Sequence, residues 1–391
     1  MIRPSHPVPR SRRTALLPPL SIALFLSLAC TQPGPTSLDE DGGDPRPSPA
    51  VGNGQVSRVN LLAGPPGRDF NRLIVQGING AGTVVGLAYQ DPYVAAPDSI
   101  FPLAWPSPGA SPQPVGDDFI PWQIDDAGTM VGVRRPPNQG GSYLGSMDAF
   151  WVRYPGGRMV RPGGATCAVC YPLTLKMSVA GGFVVGVMED SNTETQLLRW
   201  NTARPSEPVI VATGTQFQLP GFSAVPIAVN SQGSVAYTAG LHAQVLLAGA
   251  SGPVQLREVT GATETWVFGL NDHGMAVGRS RHPIGAVSVL WNRLDEKPRV
   301  IRVDTGGYAG AEGAVAIAND STVVGTAAQD IWVWRPGWPQ VEMLPRPKDT
   351  FMCTPTGIAA RVVVGSCFGY APGNPSVSPT LTRSAYWQVR P

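Results

Sequence analysis

The chain has 391 residues, with 29 basic and 27 acidic side chains, and four of the arginines (Arg3, Arg10, Arg12, Arg13) fall in the first thirteen positions. Without that segment 25 basic residues face 27 acidic ones, which excludes the strong positive charge by which nucleic-acid binders hold phosphates. Gly (46) and Pro (41) are abundant and only 14% of residues are charged, so with its many short Val-rich runs the chain points to an all-β body rich in turns.

Residues 1–29 read as a signal peptide. A basic start carries no acidic residue, and Ala15 to Ala29 is almost wholly apolar. The run is short for a retained span, which needs roughly 20 residues. It ends Leu26-Ser27-Leu28-Ala29-Cys30. A small residue before Cys is similar to the lipobox of bacterial lipoproteins, although Ser27 stands where Leu is usual. That resemblance implies acylation of Cys30 and membrane contact through the lipid alone. With Thr31 next, it implies the outer membrane or cell surface. The alternative is an ordinary secretory peptide cut after Ala29 or later, giving a periplasmic or secreted protein. Residues 30–55 are Pro, Gly, Asp and Ser with almost nothing apolar. They cannot bury enough surface to offset ordering entropy, and read as a flexible tether.

From residue 56 to 391 one string recurs: an apolar strand, an Asn or Asp turn ending in Gly, then a strand with two valine-like residues and Gly. It reads GINGAGTVVG at 77–86, QIDDAGTMVG at 123–132 and GLNDHGMAVG at 269–278. Copies read with a turn one residue shorter stand at 178–186, 316–325 and 357–365, and a degraded copy at 228–237 has Tyr237 for the last Gly. An aromatic-ended strand follows six of them, at Trp105, Trp151, Trp200, Trp291, Trp334 and Trp387; the fourth copy has apolar residues near Leu247 instead. The closing positions lie 40 to 54 residues apart, a period of propeller blades. Each unit is expected to be four antiparallel strands, A to D, with Asn and Gly taking the left-handed conformation of the A–B turn and Trp packed between blades. Val341 to Leu344 is an expected D strand.

The seven units resemble the "probable extracellular repeat, HAF family" of bacterial surface proteins, whose unit is a similar Asn-x-x-Gly-x-Val-Val-Gly string followed by an aromatic-Trp strand. The order of strands also resembles that of WD-repeat propellers. The resemblance covers about residues 56–389 and implies a blade, with no catalytic residue. The last copy ends after strand C, and residues 56–62 form a strand with no A, B or C before it. The expected fold is therefore all-β, a seven-bladed β-propeller closed by an N-terminal strand added to the last blade, which removes both sheet edges.

Cys353 and Cys367 stand seven residues either side of Ala360, so they oppose each other in an antiparallel hairpin and are expected to form a disulfide. Cys167 and Cys170 form a CxxC read as a small local disulfide. One CxxC without a second pair is a weak zinc signal, and neither metal nor cofactor is expected. The region after the signal peptide holds only His242, His273 and His282. It has no HExxH, nucleophile elbow or phosphate loop. Asp125-Asp126 fills the turn position of Asn271-Asp272, so turn chemistry accounts for it.

Long B–C loops at 89–100, 134–148 and 367–384 lie in blades one, two and seven, neighbours in a closed ring. They offer Tyr89, Tyr93, Tyr143, Phe368 and Tyr370 as flat surfaces and Arg134, Arg135 and Arg383 as donors, residues suited to interface hot spots and sugar rings. The expected function is a monomeric, non-catalytic envelope module that binds a protein or glycan. The alternative is a propeller enzyme, a polysaccharide lyase or hydrolase, which needs an acid–base pair at the channel mouth.

Overall fold

The computed structural model describes residues 59–66, 70, 72–89, 100–116, 118–134, 148–163, 177–189, 195–214, 227–283, 285–301, 303, 313–359, 361–369 and 381–390. The chain divides into units Met1–Ser48 and Pro49–Pro391, and every described residue lies in the second. None of them is helical.

Among the described residues twenty-eight strands follow one another. They are β1 (Asn60–Leu61); β2 (Arg72–Ile78), β3 (Val84–Tyr89), β4 (Ile100–Trp105) and β5 (Gln113–Pro114); β6 (Phe119–Ile124), β7 (Met130–Arg134), β8 (Asp148–Arg153) and β9 (Met159–Val160); β10 (Met177–Ala180), β11 (Phe183–Glu189), β12 (Thr195–Asn201) and β13 (Arg204–Thr213). Then come β14 (Ile227–Val229), β15 (Val235–Ala239), β16 (His242–Leu246) and β17 (Val254–Gln255); β18 (Glu264–Leu270), β19 (Ala276–His282), β20 (Gly285–Trp291) and β21 (Arg299–Ile301); β22 (Gly313–Ile317), β23 (Val323–Ala327), β24 (Asp330–Trp334) and β25 (Glu342–Met343); and β26 (Thr350–Ala359), β27 (Val362–Gly369) and β28 (Leu381–Gln388). From β6 to β25 they form five four-stranded antiparallel sheets. The rest form an eight-stranded sheet ordered β26-β27-β28-β2-β3-β4-β5, with β1 also paired to β28. β2, β6, β10, β14, β18, β22 and β26 each lie against the next in that order, and β26 also lies against β2.

The repeat Gly has a mechanical reason. In β2, β6, β18, β22 and β26 the register slips by one residue opposite Gly86, Gly132, Gly278, Gly325 and Gly365. Such a bulge drives a carbonyl toward the facing strand. A Cβ on Gly278 would sit 1.9 Å from the Trp266 carbonyl oxygen, and one on Gly132 would sit 2.0 Å from that of Ile120. Where Tyr237 replaces Gly, the facing strand β14 is three residues long and pairs without a slip.

The Trp ladder needs one correction. Trp105, Trp200, Trp291, Trp334 and Trp387 share one register, each paired with the first or second residue of its strand B. Trp151 does not, since it faces the repeat glycine Gly132, as Trp332 faces Gly325. In the fourth sheet the shared position is Leu246, opposite Val235, rather than Leu247. Four of these indoles donate to a carbonyl just past the outermost strand of the preceding unit: Trp200 to Gly163 (2.7 Å), Trp291 to Arg257 (2.7 Å), Trp387 to Pro345 (2.8 Å) and Trp105 to Ala63 (2.8 Å). Ala63 follows β1 as Pro345 follows β25. Antiparallel β1 pairs Asn60 with Tyr386 and Leu61 with Ala385. Removing any one of these fully buried indoles would cost about 3–5 kcal/mol.

The A–B turns also differ from expectation. Gly82, Gly128, Gly233 and Gly274 take positive φ, but Asn79, Asn230 and Asn271 do not. Instead the Asn79 Oδ1 accepts the Thr83 N–H (2.8 Å), and its Nδ2 donates to the Asp125 carbonyl of the next sheet (2.9 Å). Asn230 does the same toward Asn271 (3.2 Å), and Asn271 toward Ala318 (3.2 Å). The copy at 316–325 has no shortened turn: Ala318 and Thr322 pair as Asn79 and Thr83 do, with Ser321 at φ 65° in the glycine's place.

Cys353 and Cys367 face each other between β26 and β27 and are bonded, at a Cα separation of 4.0 Å. A loop of this size contributes about 3 kcal/mol through the unfolded chain.

Asp125 breaks the asparagine ladder. Its Oδ1 accepts the Thr129 N–H (2.8 Å) as Asn79 accepts that of Thr83, while its buried Oδ2 has no partner. Asn there would present a donor toward the next turn. Asp125→Asn is expected to raise stability by about 1 kcal/mol in urea unfolding followed by tryptophan fluorescence. A lower midpoint would refute this account of the ladder.

Candidate binding face

The two ends of the sheets carry different chemistry. At the A–B end the polar side chains are spent on neighbouring turns. Asp126 accepts the Gly80 N–H (2.5 Å), and Asp272 accepts that of Ser231 (2.7 Å) and the Asn319 amide (2.8 Å). Asp320 lies 3.5 Å from Arg361 and 4.0 Å from Arg335. His273 donates its N–H to Asn271. Asp125-Asp126 is therefore a turn element, as the sequence indicated.

At the other end strands B lead into the B–C loops. One backbone row there crosses five strands: Phe368 opposes Thr382, Thr382 pairs with Arg72, Arg72 opposes Tyr89, and Tyr89 opposes Ile100. The row exists because β2 pairs in parallel with β28. It sets the roots of the 89–100 and 367–384 loops side by side. Phe368 and Arg383 are half-buried, with Arg383 opposite Cys367. Arg134 ends β7. Its guanidinium stacks 4.9 Å over the Trp151 ring and its Nε lies 3.4 Å from the Asp118 carboxylate. It was expected as a donor, and these two neighbours hold it in place. Its side chain keeps 34% exposure.

Tyr93, Arg135, Tyr143, Tyr370, Cys30, Cys167, Cys170 and the side chain of Tyr89 lie outside the described residues. Arg72 was missed by the sequence reading. Its signal is a charge opening a strand that is apolar over the next three residues. Also missed was the pair of His242 Nδ1 and Glu258 Oε1, 2.7 Å apart, at the same end in the fourth sheet and the linker after it. Arg281 and Glu264 pair at 3.4 Å nearby, on facing residues. Among the described residues no group of three His, Cys, Asp or Glu is placed to hold a metal, and no helix is long and apolar enough to cross a membrane.

Burial alone would raise the Asp272 carboxyl. The N–H and hydroxyl of Ser231, the Asn319 amide and the nearby His273 ring outweigh burial and hold it below the ordinary carboxylate value. A depressed folded value gives stability that is complete above the unfolded pKa, about 3.9, and lost as pH falls through the folded one. Asp272→Ala is therefore expected to lower unfolding stability by about 1.5 kcal/mol near neutrality and by progressively less below about pH 4. An unchanging gap across a urea-unfolding pH series would refute the charge-assisted cross-link.

No family model and no curated relative matches the chain. Solved structures do. The β-propeller domain of the Trilobed protease from Pyrococcus furiosus is 8% identical, with a TM-score of 0.51 over 82% of this chain and 96% of that one. YCF48 from Cyanidioschyzon merolae is 9% identical, with a TM-score of 0.49 over 86% of this chain and 99% of that one. The extracellular domain of BT4673 from B. thetaiotaomicron is 9% identical, with a TM-score of 0.45 over 85% of this chain and 39% of that one. Successive four-stranded antiparallel sheets, each touching the next through its first strand, and the likeness to the Pyrococcus domain make this chain a β-propeller.

Proposed function

We propose that the chain is an exported, lipid-anchored β-propeller of the cell envelope that binds a protein or glycan without chemical change. Residues 1–29 are its signal peptide, Cys30 its lipidated N-terminus, 30–55 its tether and 56–391 a closed seven-bladed ring. The repeat string resembling the HAF unit supports the surface location, and the Cys353–Cys367 disulfide fits an oxidising compartment. Closure draws on three joints between β2–β4 and the β26–β28 strands with β1 beside them, which match joints elsewhere. The Val75 N–H donates to Ser366 Oγ as Val267 does to Thr238, Trp105 donates to Ala63 as Trp387 does to Pro345, and Val364 packs with Leu73 and Val75.

The observation that carries the binding reading is the row from Phe368 to Ile100, which roots two long loops together while the opposite end spends its carboxylates on turns. The second reading, an enzyme acting on polysaccharide, draws on the His242–Glu258 pair, whose residue types serve as general acids and bases.

A glycan array and an envelope pull-down test the first reading. Tyr93, Tyr143 and Tyr370 replaced together by Ala are expected to weaken binding about a hundredfold or more with the melting temperature unchanged. Retained binding, or polysaccharide cleavage lost in His242→Ala, would overturn it. Mass spectrometry of the mature N-terminus is expected to find acylated Cys30; an unmodified N-terminus further along would remove the anchor. Deleting residues 50–64 is expected to lower the melting temperature of the whole domain, and an unchanged value would refute closure.

A further inference from the structure

The chain enters its first described strand from the A–B end. Each strand C runs from the B–C end to the C–D end, which is also the end of the A–B turns, and β28 is the strand C of the last copy. β1 pairs antiparallel with β28, so it starts at that shared end. The chain toward Cys30 therefore leaves the described strands there. Residues 31–59, twenty-nine in all, separate Cys30 from Asn60, and such a length spans no more than about 100 Å.

The same end carries an exposed apolar hairpin in the fourth sheet. Residues 247–254, Leu-Ala-Gly-Ala-Ser-Gly-Pro-Val, lead from β16 into β17, are all exposed and hold no charge. Leu247 and Val254 are each 41% exposed, and among the described residues no other C–D connection exposes a large apolar side chain. The hairpin is held in place. The Ala248 N–H donates to Ser234 Oγ beside the A–B turn (3.0 Å), and the Ala250 N–H donates to the Leu247 carbonyl (3.1 Å). The sheets on either side bring paired charges to this end: Arg204 with Glu207 (3.5 Å), and Arg293 with Asp295 (3.1 Å) and Glu296 (3.3 Å). In the circuit of first strands the fourth sheet stands across from β26, whose sheet holds β1.

We propose that residues 247–254 are a membrane contact that lays the A–B end of the domain on the bilayer in which Cys30 is anchored. This rests on the lipid anchor of the proposed function and adds the orientation. Leu247, Val254 and the small residues between them enter the boundary of headgroups and acyl chains, while the flanking ion pairs stay at headgroup level. A bilayer fits this patch better than a protein does. Eight residues without an aromatic or Arg anchor fall short of the roughly 1,200 Å² and the hot spots of a stable protein interface. A lipid surface asks only for apolar area free of charge. The limited reach of residues 31–59 confines the domain beside the lipid, so a contact too weak to hold a free protein is populated once the chain is anchored. Two attachments across one face keep that face flat. The loop end, with the row from Phe368 to Ile100, is then turned outward.

Residues 49–391 are one compact unit, so the test uses residues 31–391 with an N-terminal hexahistidine tag, held on phosphatidylcholine vesicles that contain a nickel-chelating lipid. The tag stands in for the acyl group. The outcome is therefore separate from whether Cys30 is acylated, which mass spectrometry of the mature protein decides. Amide hydrogen exchange at 247–254 is expected to be about tenfold slower on the vesicles than for the same protein in buffer. Leu247→Asp with Val254→Asp should abolish the slowing. Both side chains are exposed, so the double variant is expected to keep its melting temperature and still to sediment with the vesicles through the tag. Unchanged exchange, equal slowing in the double variant, or slowing at 89–100 and 367–384 instead would overturn the proposal. So would protection of the hairpin by an envelope protein and none by vesicles, since that would assign the patch to a protein partner.

Discussion

The asparagine amide at the A–B turn is the interaction on which the arrangement of sheets depends. Its oxygen closes its own hairpin and its nitrogen reaches the equivalent carbonyl one sheet on, as at Asn79, Asn230 and Asn271. A buried amide must satisfy both ends, and here the two partners belong to different sheets. The orientation of these three blades is thus tied to the geometry of the next turn. Apolar packing alone would leave that angle loose, because dispersion and burial are not directional. At the outer rim the indole N–H groups do the same job in reverse, reaching back to a carbonyl of the preceding unit.

Between these two polar seams the cores are stacked slabs. Each slab takes valines from strand B and an indole or leucine from strand C of facing sheets, such as Val277, Leu290, Val323 and Trp332. Tyr237, where the repeat has Gly, lies fully buried in the slab of the third and fourth sheets, and burial pushes its phenol up to about 12. Five other copies set a bulge opposite the repeat Gly, whereas the strand facing Tyr237 pairs without one. This is why the degraded copy still makes a blade.

Much of this was legible in the sequence, because each repeat states its own hairpin: Gly positions, paired valines and a terminal Trp recur at readable spacing. The Cys353–Cys367 pairing followed from symmetry about one turn. What was not legible were features that depend on register. Trp151 looks like its relatives as a string, yet it stands two residues away from them in the ladder. Ala318 hides a turn of ordinary length, because Ala stands at the Asn position and Ser321 at that of Gly. Arg134 gives no hint in the sequence that Trp151 and Asp118 will hold it. The β13 strand went unread because Pro205 and Pro208 argue against a strand, and on an outer edge they are tolerated.

The pairing of β1 with β28 carries a consequence for the order of events in folding. Leu62 donates its N–H to the Ser384 carbonyl, and the Ser384 hydroxyl donates to Leu73, 311 positions away in sequence. Strands from the start of the domain therefore wait, unpaired on that side, until nearly all of it has been synthesised. Local hairpins form early at little entropic cost, and the longest loop closes last. A chain emerging vectorially keeps one raw sheet margin throughout its synthesis, so the seam that joins its two ends is where its vulnerability to misassociation is concentrated.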